Sequence, residues 1–321
     1  MSASGSGVHV LDPFYLAITL LITLAYQLFF FAIAWSFKFD KVTDFAGGTN
    51  FVVLAVVTLA LSSGNGSPNA RQVVDSLFIM LWGARLSAFL LFRILKTGKD
   101  DRFDDKRDQF CLPVTVLNSP EVRQWTQQSS FGQATDILGV VGFGVGFVME
   151  SLSDVQKYRF RSTHKQPGAL CDRGLFRWSR HPNYFGEILI QFSIYLIAIT
   201  PCAYGHIGSR ALAALIASIV GPLFLTVLLL FVSGLPLQER PGAKKRFEKG
   251  QGWPEYRDYL DRTSILIPLP PWLYRRVPVW LKRTVLLEWP IYVFDPVRHA
   301  GVEEGGLGER GGGGEGGQGS S

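Results

Sequence analysis

Long blocks of apolar side chains constrain this chain more than any other feature. Pro13 to Phe37 is mostly apolar and long enough to cross the roughly 30 Å hydrocarbon core of a bilayer. Phe45 to Ser63 follows, closed by the breaker run SSGNGSPN, and Val73 to Leu95 makes a third block. Asp136 to Met149 begins a fourth, Asn183 to Thr200 is a fifth and Ala211 to Pro236 a sixth. The pattern predicts an all-α fold, a polytopic membrane helical bundle of about six spans. Hydrophobic residues make up 47% of the chain, with 24 Phe and 8 Trp. The net charge of +6 arises from short Lys and Arg clusters beside apolar blocks, so the expected partner is a lipid bilayer and not a nucleic acid.

The remaining composition sets the boundaries. Residues 1–12 lack the basic start of a cleaved signal peptide, so the first block is expected to stay as an anchor. Residues 13–275 form the membrane domain, 276–298 a membrane-surface segment, and 299–321 a Gly-rich tail with nothing to bury, expected to be disordered. Cys111, Cys171 and Cys202 have no metal-ligand spacing and are expected as free thiols. In the fourth block Gly142 and Gly146 make a small-xxx-small pair suited to close helix packing. The same helix is predicted to run on through Glu150, Asp154, Lys157 and Arg161, a charged stripe at helical spacing.

Charge placement raises a conflict. Basic residues crowd Lys38 and Lys41, Lys96 to Arg107, Lys157 to Arg180, and Arg240 to Arg262, while the connections at Arg71 and Arg210 carry few. The positive-inside rule wants all four segments in the cytosol, which six spans cannot achieve. One more crossing between Lys106 and Asp136 would satisfy it. Yet CLPVTVLNSPEVRQWTQQSSFGQ is polar and broken by proline, so 109–133 is expected to dip in without crossing, unless the product carries an extra helix.

Asp172 to Tyr195 concentrates the chemistry. Arg173, Arg177, Arg180 and His181 precede Pro182, which suits the first turn of a helix capped by Ser179 or His181. From there Asn183, Glu187 and Gln191 recur at four-residue spacing on one face. A carboxylate such as Glu187 in an apolar helix needs a partner or a role. His181 fits a helix cap as well as a phosphate ligand, and Arg85 in the third block fits a helix contact as well as an anionic ligand.

The segments GLFRWSRHPNYFGE, DVQKYRF, ERPGAKKRF and WPEYRDYLDRTSILIPLPP resemble the steroid 5-alpha-reductase-like membrane proteins that carry domain of unknown function 1295. The resemblance covers about Lys38 to Pro271 and includes LWGARL at Leu81 to Leu86 and the DDRFD run at Asp100 to Asp104. It departs after Gln109, where members carry an aromatic-rich span, implying a deletion, a splice form or a gene-model error, with seven spans once it is restored.

The resemblance implies an enzyme that binds NADPH and reduces a carbon–carbon double bond of a steroid, isoprenoid or other lipid. It matches Asp154 and Arg161, and Asn183 and Glu187, to cofactor-binding positions, with Tyr184 part of the same signature. On charge grounds Arg173, Arg180 and His181 are candidates for the phosphates, with Glu239 and Tyr256 weaker ones. The abundance of arginine predicts NADPH over NADH. No proton donor stands out, and Asp44, Tyr26 and Arg85 are only starting points. Isoprenylcysteine carboxyl methyltransferases, which use S-adenosylmethionine, share the pattern of Arg180, His181, Pro182, Tyr184 and Gly186, whereas Asn183 and Glu187 favour the reductase. A non-catalytic membrane protein lacking one span is the remaining alternative. The expected location is the endoplasmic reticulum or another internal membrane, with the basic loops cytosolic.

Overall fold

The computed structural model describes residues 11–37, 41–64, 66–97, 111–126, 129–164, 166, 169–250 and 252–296. The charged loop 98–110, the tail 299–321 and most of the first twelve residues lie outside them. Six helices or helical stretches among the described residues are long and apolar enough to cross a membrane, and no strand occurs there. The chain is an all-α polytopic membrane protein. It divides into two compact units, Met1–Phe147 with Glu187–Val227, and Val148–Gly186 with Leu228–Ser321.

The first unit begins at α1 (Leu16–Phe37). Asp12 caps it, its carboxylate accepting from the N–H groups of Phe14 (2.7 Å), Leu16 (3.2 Å) and Ala17 (2.6 Å). Only one stripe of α1 is buried, and Leu21, Leu24, Leu28 and Phe29 face outward, as an apolar lipid-facing helix requires. The buried stripe meets α2 (Lys41–Ser63) through Tyr26 and Thr49, whose hydroxyls are 2.8 Å apart. Helix α2 runs antiparallel to α3 (Ala70–Thr97), and the two approach closely at Gly48 and Gly83. A Cβ on Gly83 would lie 2.9 Å from the Gly48 carbonyl oxygen. Around this seam Phe51, Ala55, Ile79, Trp82 and Leu86 form a core.

Helix α6 (Ala134–Thr163) continues unbroken through the predicted charged stripe. It packs antiparallel on α7 (Pro182–Tyr204), which starts at Pro182 as the sequence predicts. The close contact falls at Gly139 and Gly142, where a Cβ would meet Ile197 at 2.4 Å and Ser193 at 2.5 Å. Gly142 of the predicted Gly142–Gly146 pair thus lies at the helix contact, Gly139 extends it one turn earlier, and Gly146 is buried.

Helices α3 and α6 run parallel and in register. Near their starts Arg71 binds Asp136, with both guanidinium-to-carboxylate distances 2.9 Å, and seven residues on Phe78 stacks on Phe143 with ring centroids 3.9 Å apart. Two consecutive parallel spans require the chain to return between them. The described part of that return is α4 (Leu112–Asn118) and α5 (Pro120–Thr126). Cys111 and Val114 join the core at the depth of Ile79 and Trp82, the Leu117 carbonyl accepts from Gln72 (3.1 Å), and Arg123 donates to the Ser67 carbonyl (3.0 Å), beyond the start of α3. The chain therefore travels antiparallel to α3. Residues 113–118 are all buried in protein, which is the condition for a short helix to lie at membrane depth. The described part of 109–133 runs beside α3 from the depth of Ile79 and Trp82 to beyond its start, and the seven-residue α4 is not among the six helices long enough to cross a membrane. The polarity of the segment is met in part inside the bundle, where the Asn118 amide NH₂ donates to Thr58 (3.1 Å) and Ser76 (3.0 Å) while its Oδ1 has no partner.

The sixth apolar block is one candidate span, within Ser209–Lys249, but its helix is interrupted. It comprises α8 (Ser209–Ala217), α9 (Val220–Val227), a π turn at Leu228–Val232 and α10 (Leu235–Lys249). The wide turn closes with Ser233 N–H donating to the Leu228 carbonyl at 2.8 Å. At Gly234 a Cβ would lie 2.1 Å from the Leu229 carbonyl oxygen, so only glycine fits.

The second unit contains α10, α11 (Trp253–Arg262), α12 (Pro271–Arg276) and α13 (Val279–Thr284) with the signature segment. Phe247, Trp253, Tyr256, Tyr259 and Phe294 build its aromatic core. All three cysteines are free thiols.

Candidate functional site

The signature is held as a strap within the second unit. Gly174 begins its single 3₁₀ turn at φ +62°, and a Cβ there would strike Gln156 at 2.5 Å. Gln156 instead accepts from Leu175 N–H at 3.0 Å. Beyond the turn the chain pairs with 264–269. Arg180 N–H donates to the Ser264 carbonyl (2.8 Å), the Ser179 hydroxyl to the Leu266 carbonyl (2.7 Å), and Leu269 N–H to the Trp178 carbonyl (3.1 Å). The Tyr259 hydroxyl donates to the Phe176 carbonyl (2.7 Å), and Arg262 binds Asp172 (2.9 Å). The two most distinctive sequence segments are thereby clamped to each other. Ser179 also accepts from His181 N–H at 3.1 Å, which closes the approach to α7.

A buried ionic network sits at the start of α7. Arg180 donates through Nη1 to Glu239 and through Nη2 to Glu288, both at 2.5 Å, and Tyr274 donates to the second oxygen of Glu288. Burial disfavours the Arg180 cation, but Glu239 and Glu288 outweigh it and hold the guanidinium charged beyond its usual range. His181 Nε2 lies 2.7 Å from the other Glu239 oxygen. Burial keeps the His181 pKa below its usual value against the pull of Glu239, so the ring is neutral at pH 7 and donates its Nε2–H. His181 Nδ1 is then a buried acceptor with no partner in the structure, as is Asn183 Oδ1 two residues on. Tyr184 stacks on the His181 ring (5.2 Å between centroids, planes 7° apart) and accepts from Gln238.

Arg180, Glu239 and Glu288 also line a cavity of about 360 Å³ with Trp253, Tyr292 and Phe294. Its wall carries four acids, Glu239, Glu288, Asp261 and Asp295, against two arginines, Arg180 and Arg257. Such a wall suits a planar, uncharged or cationic ring and repels phosphate.

The sequence candidates therefore divide. Arg180, His181, Asn183 and Tyr184 come together in this unit, joined by Glu239. Arg180 does not offer a free fork for phosphate, because both its terminal nitrogens are engaged by carboxylates. Arg161 and Arg173 are exposed, and Asp154 is half-buried on the same helix as Arg161. Tyr256 belongs to the aromatic core, with the Arg246 guanidinium 4.6 Å over its ring and burial pushing its hydroxyl up to about 12. Glu187 lies one turn beyond Asn183 on α7, in the other unit, and is 1% exposed. Tyr26 is engaged with Thr49, Arg85 is half-buried with its guanidinium 5.8 Å over Phe89, and the Asp44 side chain lies outside the described residues. Sequence reasoning missed Glu288, an isolated acid in the aromatic run LEWPIYVF with no spacing to mark it.

A comparison with protein-family models matches residues 30–263 to the family described as a protein of unknown function, DUF1295. The chain belongs to this family. The DUF1295 match spans the strap and Glu239, and stops before Tyr274 and Glu288, so the network draws one carboxylate from beyond the matched region. No curated protein and no solved structure matches the chain.

Proposed function

We propose that this DUF1295 protein is an NADPH-dependent reductase of a carbon–carbon double bond in a membrane lipid of steroid, isoprenoid or related type. The observation that carries the reading is the pair of buried acceptors without partners, His181 Nδ1 and Asn183 Oδ1, at the start of α7. Buried acceptors are rarely left unpaired, and a carboxamide NH₂ or ribose hydroxyls supply the donors they lack. The aromatic cavity beside Arg180 fits a planar ring of the same cofactor. Its acidic wall leaves the phosphates to exposed arginines, and Arg161 and Arg173 are the candidates.

NADPH when bound supplies a hydride, and a proton completes the saturated product. The protein's own contribution is positional. Arg180, fixed by two carboxylates, holds Glu239, and Glu239 fixes the His181 tautomer so that Nδ1 stays an acceptor. Lipid-facing apolar helices give a water-poor substrate access to the protein from the bilayer. The positive-inside rule favours a cytosolic side for the basic segments, and a strap on that side would have NADPH available to it. Binding of NADPH and of S-adenosylmethionine to detergent-purified protein tests the reading. NADPH alone should bind, while binding of S-adenosylmethionine without NADPH would move the protein to the methyltransferase class.

A further inference from the structure

The first unit contains an acid that the proposed chemistry does not use. Asp75 lies in the second turn of α3, inside a membrane-spanning segment, with no solvent exposure. Neither of its carboxylate oxygens has a hydrogen-bond partner. The natural counter-ion is Arg71, one turn earlier, but that guanidinium is already committed. Its Nε and Nη2 donate to Asp136, Nη1 to the Ser129 hydroxyl (3.0 Å) and carbonyl (3.3 Å), and Nη2 also to the Ser130 carbonyl (3.0 Å). The Arg71–Asp136 pair sums to zero charge and offers Asp75 little compensation. The other titratable group within electrostatic reach is Cys111, a buried free thiol at the start of α4 that offers no positive charge. The buried polar groups of α2 near this level, Thr58 and Ser62, are uncharged hydroxyls.

A carboxylate without donors or counter-ion in such a place is among the costliest groups a protein can bury, and protonation removes the cost. We propose that Asp75 is a proton-binding site, occupied at neutral pH: the carboxylate takes up one proton and persists as a neutral carboxylic acid inside the membrane. The inference is independent of the reductase reading, since it rests on the first unit alone.

Infrared difference spectroscopy of the full-length protein at pH 7, wild type minus Asp75→Asn, reads the site directly. The expected result is loss of one carboxylic-acid C=O band with the carboxylate bands unchanged. Loss of carboxylate intensity instead would overturn the proposal. Should Asp75→Asn fail to fold, the wild type still answers through a hydrophobic carbodiimide, which reacts only with protonated carboxyl groups. Peptide mass mapping should find the adduct on Asp75 at pH 7 and progressively less of it as pH rises, whereas an unmodified Asp75 beside other labelled buried carboxyls would contradict it.

Discussion

Glu239 is the residue on which the site turns, because it is shared between Arg180 and His181. Removing its charge by Glu239→Gln leaves Arg180 with Glu288 alone, so the loss should fall toward the low end of the roughly 3–5 kcal/mol of a broken buried pair. Denaturant unfolding of variant and wild type would measure it, and a difference under about 0.5 kcal/mol would show the network to be incidental. His181 gives a pH signature. Its folded pKa lies below the unfolded value of about 6.5, so its contribution is intact above that value and declines as pH falls below it. The stability of wild type relative to His181→Gln should therefore drop from pH 7 to pH 5, and a rise would mean that the ring is charged in the fold. Of these residues the sequence displayed the charges but not their partners. Arg180 reads as a phosphate ligand until Glu239 and Glu288, far along the chain, are seen to occupy it. The position of Asn183 near the start of α7 is legible, because helical spacing and the Pro182 start depend only on neighbours.

Among the elements, those set by local pattern were legible: α1, α2, α3, α6 and the start of α7 follow their apolar blocks. Those set by tertiary context were not. Helix α4 is too short to show as a span and ends in Asn118, and its polar groups are partnered at membrane depth by Thr58, Gln72 and Ser76 of α2 and α3. The sixth block looked continuous because hydropathy does not register a π turn. Gly234→Ala tests that turn, since the added Cβ meets backbone that cannot rotate away. Strain of about 1–3 kcal/mol should appear as lower thermal stability, and a neutral outcome would mean that the turn is not held as described.

For the whole molecule, the parallel register of α3 and α6 bears on the charge conflict that the sequence posed. Helix α6 runs parallel to α3 as far as Phe143, so the positive-inside rule predicts that the basic residues following the two apolar blocks share a side. Single cysteines introduced at 98–107 and at 163–166 should react with an impermeant thiol reagent from the same side, and cysteines at 205–208 from the opposite one. Labelling of the first two sets from opposite sides would refute the return.

The reductase reading is tested most directly by titrating NADPH into wild type and Asn183→Ala at matched folded fraction. Loss of one neutral hydrogen bond should weaken binding by about 0.5–1.5 kcal/mol, a factor of roughly two to twelve, with wild type binding NADPH and not S-adenosylmethionine. Indistinguishable dissociation constants, or a wild type that ignores NADPH, would contradict the account.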